Sequence, residues 1–391
     1  LMNEIINIDD SRYSRLGLIS WWNQDVLKKS KVLVVGCGAL GNEIIKNLAM
    51  LGVGNIYAVD MDTIERSNLT RSVLFRLEDE GKFKAETAAK RAKEINPDIN
   101  FFYYNGNIFN LGLNIFRESD IIIAGLDNRE ARLFINRSCI KVNKPWIDGG
   151  IEVLNGVARM FAPPYNVCYE CTLSETDFAL ISKRKSCLLL GEDDIEAGKI
   201  PTTPTISSII AGIQVQEAIK YLHKKDELPF LTGKGFVFNG FTNDSYIVEY
   251  QYKNDCMSHY TFENFSGISK SFSGSSFLDI DSAFKSLYGD KPYSIIFNND
   301  IIFALEDETG LKREFFSNIN STHVRDITES GKLFKPLSLT IINSSSDIFG
   351  KFINRKLIDS GIPYNDILTV RSGETEIHFT FDYDEIFTEV K

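Results

Sequence analysis

The stretch KVLVVGCGALGNEI, Lys31 to Ile44, constrains this chain more than any other. Five residues suited to a buried strand run into Gly36-Cys37-Gly38-Ala39-Leu40-Gly41, and apolar positions then recur at helical spacing. Strand, glycine turn and helix N-terminus make an anion cradle, because backbone N–H groups converge where the helix begins. The turn by itself does not choose between the pyrophosphate of a dinucleotide and the triphosphate of ATP. It does demand a sheet on which helices pack.

The rest of the first half supplies that sheet. The runs KVLVV, NIYAVD, INFFYYN, DIIIAGLD and KPWIDG alternate with GNEIIKNLAMLG, KFKAETAAKRAKEIN and NREARLFINRSCIKVN, whose apolar residues lie three or four apart. Apolar strands joined by helices predict a Rossmann-like, mostly parallel α/β sheet with right-handed crossovers. Asn107 and Asn128 mark turns leaving strands, and Pro97 ends the second helix. Beyond Gly150 a cysteine-bearing loop region runs to about Thr203, then TISSIIAGIQVQEAIKYLH reads as a long helix. GFVFNGF and SYIVEYQYK predict a hairpin turning at Asn243-Asp244. SGISKSFSGSS, Ser266 to Ser276, reads as a Gly/Ser linker. After it, YSIIFNNDIIFALED, LSLTIIN and EIHFTFDY, with the helical DIFGKFINRKLIDSG, predict a small α+β domain. The expected division is a first domain over 1–262 and a second over 277–391.

Composition narrows the function. A net charge of −10 argues against a large nucleic-acid surface, which needs excess Lys and Arg, and still allows nucleotide in a locally basic pocket. No apolar run has membrane-spanning length and the first residues lack a signal layout, so a cytoplasmic protein without a membrane partner is expected. Six cysteines in 391 residues are too few for a disulfide framework and read as thiols or metal ligands.

Asp60 lies 24 residues after Gly36, roughly where a dinucleotide fold puts its ribose-binding acid, about 20 residues on. The next segment favours ATP over NAD. DMDTIERSNLTRSVLF gathers Asp60, Asp62, Asn68 and Arg71 after one strand; Lys84 follows in GKFKAETAAK, and Asp127 ends DIIIAGLD. A triphosphate repels an attacking carboxylate unless cations neutralise it. Arg grips phosphate oxygens in pairs, Lys acts as a point charge, and Asp suits Mg²⁺.

Six motifs in order, RYSRLGLI, GCGALG, DMDTIERSNLTR, GKFKAE, AGLDNREAR and PTTPTISSIIAGIQVQEAIK, resemble the ThiF/MoeB/HesA family, the adenylating fold shared with ubiquitin-activating enzymes. The resemblance covers about Asp10 to Tyr260. It implies that Gly36, Gly38 and Gly41 form the phosphate turn, that Asp60 binds ribose hydroxyls, that Asn68, Arg71 and Lys84 hold phosphates, and that Asp127 holds Mg²⁺. Arg15 matches an arginine that family members insert into the neighbouring subunit's site, which implies a homodimer; the sequence leaves open whether Arg15 acts in cis or in trans.

Cys168 and Cys171 in CYEC, with Cys256 and His259 in CMSH, have the spacing of two chelating edges of a tetrahedral Zn²⁺. The family resemblance implies two C-x₂-C pairs there, so His259 departs from it: the residue either completes a Cys₃His site or lies on the surface. Cys37 and Cys139 read as small packing residues. Cys187 follows Lys183, Arg184 and Lys185, cations that favour thiolate. By order along the chain it matches the family's cysteine of thioester or persulfide chemistry; the other reading is a bystander thiol.

The function expected from the resemblance is ATP-dependent adenylation of the C-terminus of a ubiquitin-like protein, thioester transfer to Cys187, and hand-over to a conjugating enzyme recruited by a ubiquitin-fold-like C-terminal domain. The alternatives are a sulfur-carrier-protein adenylyltransferase of the thiamine or molybdopterin type, an enzyme adenylating a peptide C-terminus, and a non-catalytic scaffold subunit.

Overall fold

A computed structural model describes residues 12–165, 167–178, 201–320 and 334–391, with the backbone of 328–329 and 332–333. Five strands form the parallel centre of the larger sheet: β1 (Lys31–Val35), β2 (Asn55–Asp60), β3 (Asn100–Asn105), β4 (Ile121–Ala124) and β5 (Trp146–Glu152), in the spatial order β3-β2-β1-β4-β5. Three antiparallel strands, β6 (Asn155–Phe161), β7 (Lys234–Asn239) and β8 (Asp244–Glu249), continue it beyond β5. The α/β expectation therefore holds, with an antiparallel wing added to the parallel centre.

Alternate residues of each strand feed two cores. Val32 and Val34 of β1 join the layer under α2 (Ala39–Leu51), α3 (Lys84–Ile95) and α7 (Pro204–His223). Leu33 and Val35 point the other way, toward α4 (Leu113–Glu118), α5 (Arg129–Lys141) and α6 (Tyr169–Thr172). Three helix ends are set by local residues: Asn128 caps α5 by accepting from Ala131 N–H, Thr203 caps α7, and Gly52 ends α2 with a left-handed φ of 72°. The short α1 (Gln24–Lys29) is capped by Asn23.

The segment read as a linker is not one. Residues Phe265–Ser271 form β9, which pairs in parallel with β16 (Thr375–Asp382) at the edge of a second sheet. An edge strand needs few large buried side chains, so Gly and Ser are tolerated there, and Phe272 then closes the core with no exposed surface. That sheet also contains β10 (Ser294–Glu306), β11 (Lys312–Asn318), β14 (Lys335–Asn343) and β15 (Leu368–Ser372), while β12 (Thr328–Glu329) and β13 (Lys332–Leu333) pair with each other. Helix α8 (Phe277–Tyr288) packs in its aromatic core. The helix expected from Asp347 stops at Phe352 as α9.

The second sheet's unit is bound tightly to the first. Tyr364 N–H donates to Asn110 O (2.8 Å), Gly112 N–H to Tyr364 O (2.7 Å), and Leu113 N–H to the Asp366 carboxylate (2.9 Å). Asp366 thus satisfies an orphan donor at the start of α4, a helix of the other unit. Gly112 is required there, since a Cβ would lie 2.3 Å from the Asp366 backbone. The chain then returns: β17 (Thr388–Glu389) pairs with β3, and Phe387 packs edge-on against Tyr57. No helix among the described residues is long and apolar enough to cross a membrane.

His378 gives this junction a pH dependence. Its ring stacks on Phe262 at 3.8 Å and its Nδ1 lies 2.9 Å from the Thr369 hydroxyl. Burial, aided by the Lys141 ammonium, lowers its pKa from 6.5 to about 4. Between those values the unfolded chain binds a proton that the native one refuses, so stability is complete above pH 6.5 and falls as pH drops toward 4. His378→Gln should flatten the acid limb of a denaturant-unfolding series between pH 7 and 4.5.

Candidate functional site

Strand order reverses at β1, whose neighbours β2 and β4 carry the chain away in opposite directions. The crevice beyond the C-terminal ends of such strands is where α/β sheets hold ligands. Gly36 sits there with φ 90°, and a Cβ on it would lie 2.6 Å from Gly125 O. A Cβ on Gly41 would lie 1.9 Å from Gly36 O. These two glycines are needed by the protein's own packing. Gly38 differs, having nothing within 4 Å of the added atom, so its openness faces outward, where an anion can approach the start of α2.

Asp60, at the end of β2, accepts from Cys37 N–H (2.6 Å) and Asp62 N–H (2.8 Å), tying the glycine turn to the following loop. Burial lifts its carboxyl above the ordinary range, opposed by the Lys84 charge and these two N–H groups. Lys84, first residue of α3, reaches Asp62 at 2.8 Å with its side chain mostly covered. Burial disfavours its charge, but Asp60 and Asp62 outweigh that and hold the ammonium above its ordinary pKa. Cys37 is fully buried and its thiol is pushed well up, first by burial and then by Asp60, so it remains protonated.

Asn68 and Arg71 are occupied locally. Asn68 Oδ1 accepts from Glu65 N–H, and Arg71 Nη1 donates to Ser67 O at 3.0 Å. Asn42, buried next to the glycine turn, fastens their loop to it: its amide donates to Cys37 O and its oxygen accepts from Leu74 N–H. Sequence reasoning missed Asn42, although its place one residue after Gly41 was a signal. Asp127 is exposed at the crevice, two residues beyond Gly125. Its open carboxylate beside a phosphate-type turn is a donor suited to Mg²⁺.

Arg15 is remote from all of these. Arg12 donates to Ile95 O, Asn96 donates to the Tyr13 hydroxyl, Tyr13 fills the space over Gly52, and Gln24 donates to Leu51 O. Every one of these partners ends a helix at the opposite pole of the sheet. The length of α2, about 18 Å, separates that pole from the glycine turn. Cys187 lies outside the described residues.

The four predicted zinc ligands converge. Cys168 Sγ lies 3.8 Å from Cys171 Sγ and 3.6 Å from Cys256 Sγ, and Cys171 Sγ lies 3.4 Å from His259 Nε2. Sulfurs bound to one tetrahedral Zn²⁺ at 2.3 Å stand about 3.8 Å apart, so the cluster has the size of a filled site. All four ligand atoms fall within 4.8 Å of one another. His259 is therefore part of the cluster rather than a surface residue, stacked on Tyr252. Burial keeps its pKa below the ordinary value, which leaves the neutral imidazole a metal takes. Between the ligands, Glu170 binds Arg137 of α5 at 2.7 Å and 3.0 Å, and Ser258 accepts from Asn136. The knuckle thereby holds the helix that begins beside Asp127.

Comparison with known proteins agrees with this geometry. The ThiF family model matches residues 11–258. Ubiquitin-like modifier-activating enzyme 5 of Dictyostelium discoideum is 29% identical over 259 residues, covering 61% of this chain and 65% of that protein. The NEDD8-activating enzyme E1 catalytic subunit of the same organism is 42% identical over 156 residues, covering 37% of this chain and 35% of that protein. The chain thus spans less than two thirds of either relative's length. Among solved structures, E. coli MccB with ATP superposes with a TM-score of 0.53 at 25% identity, covering 64% of this chain and 75% of MccB.

Proposed function

The chain belongs to the ThiF family, and from that premise we propose that it activates the C-terminal carboxylate of a ubiquitin-like protein by adenylation with ATP. The observation that carries the reading is the meeting, at one pole of the sheet, of an open glycine turn, a lysine charged by two carboxylates and an exposed aspartate. In this reading the glycine turn and the start of α2 bind the phosphates, and Asp60 takes the ribose. Lys84 exchanges Asp62 for phosphate oxygens, and Arg71 leaves Ser67 O to do the same. Asp127 would hold Mg²⁺, whose charge offsets that of the triphosphate when bound. The partner's carboxylate, already ionised, attacks the α-phosphorus; the bond to the bridging oxygen breaks and pyrophosphate leaves, with no general base needed.

The contacts of Arg12 and Tyr13 at the other pole of the sheet support a reading in which Arg15 serves the nucleotide of a second copy, within a homodimer. The Cys₃His cluster would bind structural Zn²⁺. The adenylate then passes the carrier to Cys187 as a thioester, with AMP as leaving group, and a conjugating enzyme receives it. A second reading, adenylation of a short peptide's C-terminus, is supported by the likeness to MccB, one of whose solved structures holds a peptide, N-formylated MccA.

The test incubates tagged protein with lysate of its host, Mg²⁺ and ATP, and resolves it without reductant beside Cys187→Ala. An ATP-dependent adduct released by thiols and absent from the variant is expected. ATP–pyrophosphate exchange without that adduct would confine the enzyme to adenylation, as the peptide reading requires. Failure of the purified protein to bind ATP with Mg²⁺ would overturn both readings.

A further inference from the structure

The backbone leading to Asp127 is held from behind by two side chains that the chemistry above does not use. Gln214 of α7 has no exposed surface, and its Nε2 donates to Ala124 O at 2.8 Å. Its Oε1 has no partner, an unmet acceptor that a purely structural core position would rarely keep. Gly149 leaves room for this amide: a Cβ there would lie 2.5 Å from Oε1. Two residues on, Arg132 Nη2 donates to Leu126 O (2.6 Å) and also to Gly149 O (2.8 Å). Between them, Gly125 N–H is taken by Val35 O of β1.

Arg132 is fixed in turn. Its Nε lies 2.8 Å from Asp148 Oδ1, and Asp148, with no exposed surface, binds Arg159 through Oδ2 at 2.9 Å. One buried carboxylate thus orients two guanidinium groups, and Arg159 also lies over the Tyr169 ring at 5.2 Å. Nη2 meets both carbonyls while Nε pairs ionically with the carboxylate, two separate nitrogens that a single lysine ammonium cannot replace. Ala124 O, Gly125 N–H and Leu126 O are therefore all hydrogen-bonded, while the Asp127 side chain that follows them stays exposed.

We propose that Arg132 and Gln214 are positioning residues for Asp127, setting where its carboxylate meets the divalent cation of the bound nucleotide. This rests on the assignment of Asp127 to Mg²⁺ in the reading above. Neither residue touches nucleotide; both act through the carbonyls of Ala124 and Leu126.

The test measures binding of labelled ATP to the full chain, without Mg²⁺ and across a Mg²⁺ titration, for wild type, Arg132→Lys and Gln214→Met. Lys keeps the charge beside Asp148 and loses the fork; Met keeps the volume and loses the amide. Each should raise the Mg²⁺ concentration for half-maximal binding by roughly tenfold or more, the usual effect of removing an outer partner of a metal ligand. Metal-free ATP affinity should not change, because the glycine turn and Lys84 are untouched. An unchanged Mg²⁺ midpoint in either variant, or equal weakening with and without Mg²⁺, would overturn the proposal. Wild type that binds ATP with no Mg²⁺ dependence would remove the Asp127 assignment itself, a result distinct from either.

Discussion

Chains carrying Arg15→Ala, mixed with chains carrying Lys84→Met, are expected to regain activity that neither variant has alone. In the proposed reading each change removes a cation from the transition state of phosphoryl transfer, and losing one such charge costs roughly 10²–10³-fold in rate. Arg12 and Tyr13, just before Arg15, are anchored at the pole away from the glycine turn, whereas Lys84 lies beside Asp60 and Asp62 at the turn. A mixed dimer therefore holds one complete site, built from Lys84 of the Arg15→Ala chain and Arg15 of the Lys84→Met chain. Random pairing of equal amounts makes half the dimers mixed, each with one working site of two, so about a quarter of wild-type activity should return. Pyrophosphate release with the carrier protein reads this directly. Activity that stays near zero in the mixture, with both variants folded and dimeric, would show that Arg15 does not complete a neighbour's site.

The second large effect is loss of metal from the cysteine–histidine cluster. The chain is expected to purify with one zinc, measured by elemental analysis, and to lose it to a strong chelator once mild denaturant loosens the fold. Structural zinc in small domains is bound by about 10–16 kcal/mol, and only part of that is recovered when the ligands relax. Removal should cost several kcal/mol and lower the melting temperature by on the order of 10 °C. The loss should reach the crevice, because Glu170, between two of the ligands, holds Arg137 of α5. His259→Cys should keep the metal and the stability, since thiolate replaces imidazole in the same tetrahedron; His259→Ala should lose both. Full zinc content in His259→Ala would exclude the histidine from the site.

The parts legible in sequence were those written in contiguous residues. KVLVVGCGALG specified strand, turn and helix, and the structure has β1, a positive-φ Gly36 and α2 there. Asn107 and Asn128, read as turns leaving strands, cap the helical turns that follow by accepting from their own local backbone. C-x₂-C and C-x₂-H spacing each describe one chelating edge; only the fold could set Cys256 3.6 Å from Cys168. Ser266 to Ser276 misled because composition registers flexibility and not the neighbour that removes it; β16 supplies the hydrogen bonds that make a strand of it.

Local physics thus determined the glycine turn, some of the helix ends, and the alternation that builds the sheet. Tertiary structure alone decided three further things: that the segment before Arg15 packs at the pole opposite the glycine turn, that Asp366 caps a helix of the other unit, and that Asp148, Arg132, Arg159 and Gln214 brace the loop before Asp127. The reason is the range of the forces. Propensity, capping and turn geometry act over a few residues, whereas a buried carboxylate chooses its partners only when packing has excluded water and left those partners as its only source of compensation.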